Sequence, residues 1–125
     1  MLESVQEILK PVARQVVLIS YDYEIILAAR KLNWPKVGVV LKQWTDLFTE
    51  LVKDIQSNFV FVSYKIIPKH INKASCAVLR EAKLVAFEVG TPELCQKLLD
   101  QGVDMLETFE LQKLNKKLGY RLPEP

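Results

Sequence analysis

The sequence predicts an α/β protein in which short buried strands alternate with amphipathic helices around a parallel sheet. Three observations carry that prediction. Runs such as "QVVLIS", "VGVVL", "FVFVS" and "LVAFEV" are apolar without alternation, the pattern of strands covered on both faces. Between them the hydrophobic period lengthens to that of a helix. The junctions also carry helix punctuation: Asp22 before one helix, Thr91-Pro92-Glu93 before another, and Gly102 after it. Strands separated by helices pair in parallel through right-handed crossovers.

Taken in order, Leu2, Val5, Ile8 and Leu9 mark a helix ended by Pro11. Residues 15–20 read as a strand, with 16–19 buried on both faces. Asp22 caps a helix carrying Ile25, Ile26, Ala28, Ala29 and Leu32, which stops before Pro35. Residues 37–41 form the next strand. From Thr45, Leu47, Phe48, Leu51, Val52 and Ile55 make one helical face, and residues 59–63 are strand-like. Pro68 is expected to open a helix with Ile71, Ala74, Val78 and Leu79 on one side. Residues 84–89 are again a strand. The helix capped by Thr91 buries Leu94, Cys95, Leu98 and Leu99, and a tight Gly-Val-Asp junction leads into a short strand over 104–108. A last helix carries Leu111, Leu114 and Leu118 to Gly119. The expected organisation is one domain over 1–119 with a frayed tail over 120–125. Five such strands fit an open doubly wound sheet and also part of a barrel.

Composition narrows the function classes. The 125 residues are 50 % hydrophobic and 26 % charged, a globular balance in a chain of single-domain length. A net charge of +2 with no Lys/Arg cluster argues against nucleic acid. Cys76 and Cys95 sit in helical patterns and read as buried thiols in a reducing compartment. The first residues, "MLESVQEILK", read as an amphipathic helix rather than a secretory leader. No apolar run approaches the roughly 18 residues of a membrane span. A cytoplasmic protein is expected. The basic "KLNKK" near the end reads as a solvated helix face.

Two longer passages carry a resemblance. "VLISYDYEIILAARKLN" resembles the strand-Ser-Phe-Asp-helix passage of the glycerophosphodiester phosphodiesterase family, with Tyr21 where Phe is usual. "VAFEVGTPELCQKLLDQGVDMLETF" resembles that family's Trp-Thr-Val-Asn strand, its helix, and its Gly-Val-Asp-Gly-Ile-Ile-Thr-Asp ending. Phe87 stands for the Trp, Glu88 for the Thr, Val89 for the Val and Gly90 for the Asn. Gly102, Val103, Asp104 and Thr108 match, whereas Met105 replaces Gly and Phe109 replaces the final Asp. The likeness covers roughly residues 14 to 110 in the correct order.

The resemblance implies the later strands of a TIM-type (β/α) barrel, from a family that hydrolyses glycerophosphodiesters to glycerol phosphate and an alcohol, usually with a divalent cation. It also implies that the family's chemistry is missing from this stretch. That chemistry uses a His-Arg pair, acidic metal ligands, a second His and a Glu-Lys pair, all early in the barrel. The sequence holds one histidine, His70, in a region matching neither family His. The expectation is a partial barrel with no catalytic residue, no metal ligand and no cofactor of its own. Its partner would be a second copy or a chain supplying the missing half.

Substrate-pocket candidates follow from the strand ends, where α/β proteins build their sites. Lys42 and Lys65 are placed to attract a phosphate, with Tyr21, Trp44 and Phe87 forming a wall around a glycerol or lipid-derived group. Ser20, Ser63 and Thr108 lie at the same ends. Glu88 and Glu107 are candidates for a carboxylate pair serving a cation or acid-base work, at places where the family is neutral. The plainer reading is that polar residues collect wherever buried strands emerge. His70, two residues past Pro68, reads as exposed or capping, and Trp34 as a packing residue beside Pro35.

Overall fold

The computed structural model describes residues 17–107. Five parallel strands, β1 (Leu18–Ser20), β2 (Val37–Val40), β3 (Phe59–Ser63), β4 (Lys83–Phe87) and β5 (Met105–Leu106), pair strictly in chain order. Helices α1 (Tyr23–Lys31), α2 (Glu50–Ile55), α3 (Ala77–Glu81) and α4 (Pro92–Asp100) connect them. This order decides between the two architectures the sequence allowed. A doubly wound sheet reverses its strand order at a switch point, so that helices cover both faces. Here each crossover steps the same way, and right-handed connections then put every helix on one face. The result is a segment of a (β/α) barrel, with the described helices all on its outer face.

Burial follows that division. On the outer face Val37 and Val39, Val60 and Val62, and Leu84 and Ala86 are all 0 % exposed. They pack with α1 residues Ile26 and Ala29, with Val52 and Ile55 of α2, and with Leu79, Cys95 and Leu98. Residues one position along the strands point the other way. Phe59, Phe61 and Ser63 are half-buried, and Ile19 and Met105 are 47 % and 48 % exposed. Gly38 shares this inner face. A Cβ there would lie 2.7 Å from the Phe61 ring and 3.3 Å from the Ile19 side chain, so the ring lies across β2 where only glycine leaves room.

The exposure of Ile19 corrects the expectation that residues 16–19 are buried on both faces. An unbroken apolar run is the signature of a strand covered on both faces, and no described helix lies over the inner face at Ile19. Two helices are corrected as well. The stretch from Thr45 is a 3₁₀ turn, Trp44–Phe48, and then α2 with Thr49 as its cap. The Thr49 hydroxyl donates to the Asp46 carbonyl at 2.7 Å and accepts from the Val52 N–H at 3.4 Å. Leu47, Val52 and Ile55 are all buried across this break, so the apolar period hid it. Pro68 opens no helix. Ile66, Ile67 and Ile71 pack on the core from irregular backbone, and Asn72 caps a short turn, Lys73–Ser75, before α3 begins at Ala77. Asn72 gives the chain a local side-chain bond in extended backbone, which competes with helix.

Other junctions follow the sequence reading. Asp22 accepts from the Glu24 and Ile25 amides, Thr91 from Leu94, and Gly102 ends α4 with φ of 106°. Cys76 and Cys95 are free and buried, and burial pushes the Cys95 thiol up from its ordinary pKa. Trp34 is fully buried, with its indole N–H unpartnered among the described residues. No helix among the described residues is long and apolar enough to cross a membrane. The helices expected over 2–9 and 111–118, residues 15 and 16, Thr108 and the tail lie outside the described residues.

The N-terminal ends of the strands are tied by one side chain. Arg30, in the last turn of α1, donates from Nε to the Ile55 carbonyl at 3.0 Å and from Nη1 to the Trp34 carbonyl at 3.1 Å. Its Nη2 reaches the Gln56 carbonyl at 2.7 Å and Asn58 Oδ1 at 2.8 Å. Asn58 in turn holds three strands: its Oδ1 accepts from Val37 N–H, its own N–H donates to the Val37 carbonyl, and its carbonyl accepts from Lys83 N–H. At the start of β5 the Asp104 carboxylate accepts from Leu84 N–H at 2.8 Å and pairs with Lys73 at 2.7 Å. Burial alone would raise its pKa, but these two partners hold it below its ordinary value. Removing the guanidinium leaves four acceptors without their donor, so Arg30→Ala is predicted to cost about 2–4 kcal/mol in urea unfolding. Arg30→Lys should recover little of it, because an ammonium cannot reproduce the planar fork. A loss below about 1 kcal/mol would remove Arg30 from this role.

Candidate functional site

Because all five strands are parallel, their C-terminal ends meet on one rim, the side where barrels of this kind carry their chemistry. The structure brings most of the candidates there. Ser20 ends β1 and Tyr21 follows it; Lys42 stands two residues past β2; Ser63 ends β3 and Lys65 follows; Phe87 ends β4 and Glu88 follows; Glu107 comes directly after β5. Thr108 lies outside the described residues.

Charge is sorted along this rim. The two lysines follow the adjacent strands β2 and β3, and the two glutamates follow the adjacent strands β4 and β5. Glu107 N–H donates to the Ala86 carbonyl at 2.8 Å, and its carbonyl accepts from Val89 N–H at 3.0 Å, so the segments bearing the two carboxylates run side by side. Lys65, Glu88 and Glu107 are exposed, and their side chains form no hydrogen bond or ion pair among the described residues. Among those residues no three His, Cys, Asp or Glu side chains come together as metal donors.

Two candidates have local structural work. Ser20 Oγ accepts from Asp22 N–H at 2.9 Å, shaping the turn that lets Asp22 cap α1. Ser63 Oγ accepts from Lys65 N–H at 3.4 Å in the same manner. Trp44 is half-buried and packs on the core, so only part of its ring is available as a wall. Tyr21 is exposed and Phe87 half-buried. His70 is exposed on an outer cleft of about 820 Å³ between Lys69, Ile71 and α4, away from the rim.

Sequence reasoning missed Tyr23 and Asp46. The Tyr23 hydroxyl donates to Asp46 Oδ2 at 2.7 Å and accepts from Lys42 N–H at 2.9 Å. The Lys42 ammonium lies 5.2 Å from the Tyr23 ring centre, within cation–π range. One phenol thus fixes the loop after β2 and holds Lys42 over its ring. The available signal was a tyrosine in the first turn of a helix that begins at the rim. Burial pushes the Tyr23 pKa up to about 12; the Lys42 N–H opposes this, and the Asp46 carboxylate adds to it.

Strand order, one-sided helices and a polar C-terminal rim define part of a parallel (β/α) barrel. Solved structures locate the likeness more closely. The chain is similar to a phosphodiesterase of Oleispira antarctica in complex with the product sn-glycerol-3-phosphate. That match has a TM-score of 0.69 at 18 % identity and covers 94 % of this chain and 49 % of the other. It is also similar to a protein of Silicibacter pomeroyi DSS-3 assigned as a glycerophosphoryl diester phosphodiesterase. Here the TM-score is 0.69 at 14 % identity, covering 98 % of this chain and 46 % of that one. The chain therefore spans about half the length of the structures it matches, and at these identities the fold is what they share. No protein-family model and no curated protein matches it.

Tyr23→Phe is predicted to cost about 1–2 kcal/mol, because Asp46 and the Lys42 N–H each lose a partner. The pH dependence has a definite sign. A tyrosine whose folded pKa is raised contributes stability that is fully present below its unfolded value of 10.0 and is lost as pH climbs toward about 12. Unfolding midpoints measured from pH 8 to pH 11.5 should fall more steeply in the parent than in Tyr23→Phe. Parallel slopes would remove the raised pKa.

Proposed function

We propose that this chain is the phosphodiester-binding later part of a barrel, holding the phosphate of a glycerophosphodiester-like ligand at its C-terminal rim without hydrolysing it alone. The observation that carries the reading is the pair Lys42 and Lys65 after neighbouring strands, one of them held in place by Tyr23. Tyr21, Trp44 and Phe87 supply apolar surface beside them for a glycerol or lipid-derived group. The Oleispira protein's bound glycerol phosphate supports a ligand of this chemistry. Glu88 and Glu107 at the other end of the rim suit a positively charged alcohol moiety better than a second phosphate. The absence of hydrolysis rests on the sequence. Its one histidine lies off the rim, where family chemistry needs two.

The test is a titration of the ¹⁵N-labelled chain with sn-glycerol-3-phosphate. Amides after β2 and β3 should shift on one saturating curve, and Lys42→Ala and Lys65→Ala should each weaken binding roughly tenfold. Glycerophosphocholine with magnesium or calcium should give no product above buffer. Turnover that disappears in Glu88→Gln or Glu107→Gln would overturn the non-catalytic reading and make that pair the catalyst.

A second reading is favoured by the exposed apolar residues at the margins of the inner face. Ile19 and Met105 are half exposed there, on the two edge strands of the described sheet, beside the half-buried rings of Phe59 and Phe61. Burying such a face against a second copy, or a chain bringing the missing strands, makes the protein an interaction module. For a second copy, sedimentation equilibrium at micromolar concentration should give a mass rising above 14.4 kDa with concentration. A mass fixed at that value would exclude the self-paired form.

A further inference from the structure

A second cleft lies at the opposite end of the sheet from the rim, where the strands begin. It has a volume of about 600 Å³, and its walls come from the last turn of α1, the end of α2, the start of β3 and α3. Three cations line it, Arg30, Lys53 and Arg80, against one acid, Glu81. Lys53 has a further partner in Glu50 at 3.7 Å, an exposed and weak contact. The Arg80 guanidinium has no hydrogen bond or ion pair among the described residues. Arg30 spends its fork on three carbonyls and one amide oxygen, none of which carries a charge. Its positive charge is partly desolvated and has no carboxylate to offset it.

Ser57 supplies the independent observation. It lines this cleft, it is 3 % exposed, and its hydroxyl has no hydrogen-bond partner among the described residues. A buried hydroxyl left unpaired costs about 1–3 kcal/mol, and such groups are rare enough to need an explanation. A donor without an acceptor, set in a wall with surplus positive charge, is complementary to an oxyanion. The outer cleft beside α4 lacks both features, since its two lysines, Lys69 and Lys97, are matched by two acids, Glu93 and Asp100, and among the described residues no orphaned atom lines it.

We propose that this cleft is a binding site for a phosphate group, separate from the rim. The phosphate oxygens accept from Arg80 and, once the Ser57 side chain turns about its Cα–Cβ bond to bring its buried Oγ to the cleft surface, from Ser57 as well, and Arg30 and Lys53 supply the remaining positive field. Arg30 keeps its four protein acceptors, so the ligand adds to the tie between helix and strands rather than replacing it. A doubly charged phosphate suits three cations better than a single carboxylate does.

The experiment is a titration of the ¹⁵N-labelled full chain with inorganic phosphate, and separately with acetate, at constant ionic strength. The amides of Ser57, Asn58 and Arg80 should move together on one saturating phosphate curve, with acetate roughly tenfold weaker. Arg80→Ala should weaken phosphate roughly tenfold. Ser57→Ala should weaken it roughly threefold while leaving the melting temperature equal or higher, since it deletes an unpaired group. Any movement at Lys42 and Lys65 should follow its own curve, unaltered by Arg80→Ala, which keeps this site distinct from the rim reading. Linear shifts without saturation, equal response to acetate, or affinity unchanged in both variants would each overturn the proposal.

Discussion

One guanidinium holds this sheet in register. Arg30 sits at the end of α1 and reaches acceptors after that helix, at the end of α2 and at the start of β3. Asn58, held by it, bonds the first residues of β2 and β4. A rigid planar donor can satisfy this set in one arrangement only. The strands therefore start at fixed heights, and since they are short and parallel they also end at fixed heights. The alignment of Lys42, Lys65, Glu88 and Glu107 on a single rim is thus set at the far end of the molecule.

At that rim a second polar link does local work. Tyr23 stands at the start of the helix that Arg30 ends, so α1 is bonded at both of its ends to segments flanking β2. The helix acts as a strut between the two ends of the sheet. Sorting of charge along the rim follows from the chain order of the strands, because neighbours in sequence are neighbours in space. A ligand lying across the ends of β2 to β5 would pass Lys42 and Lys65 before reaching Glu88 and Glu107.

The sequence revealed the parts of the fold that local rules dictate. Caps at Asp22 and Thr91 and the left-handed Gly102 have one conformational solution each, and the apolar runs between helices have one secondary structure. The side of the sheet that each candidate occupies was readable too, since strand ends follow from strand directions. What stayed hidden depends on contacts between distant segments. Thr49 interrupts an apolar face whose period continues unbroken on either side, and Ile66, Ile67 and Ile71 are partly buried against the core without any period. Arg30 and Tyr23 act on residues far along the chain, and nothing near either one announces its partners. The exposure of Ile19 reverses what its apolar neighbourhood implies, because that run lies on an edge strand of the described sheet. Open or closed is a property of the whole sheet, and no single strand encodes it.

Strict chain-order pairing also shapes how this sheet is assembled. No strand waits for a partner further along than the next one; the most distant paired starts are Phe59 and Lys83. Closing loops of that size costs little entropy, and each new strand meets an edge already in place. Growth is therefore directional, like adding slats to a fence. A change in chain length at either end adds or removes an outer slat and leaves the inner ones paired as before.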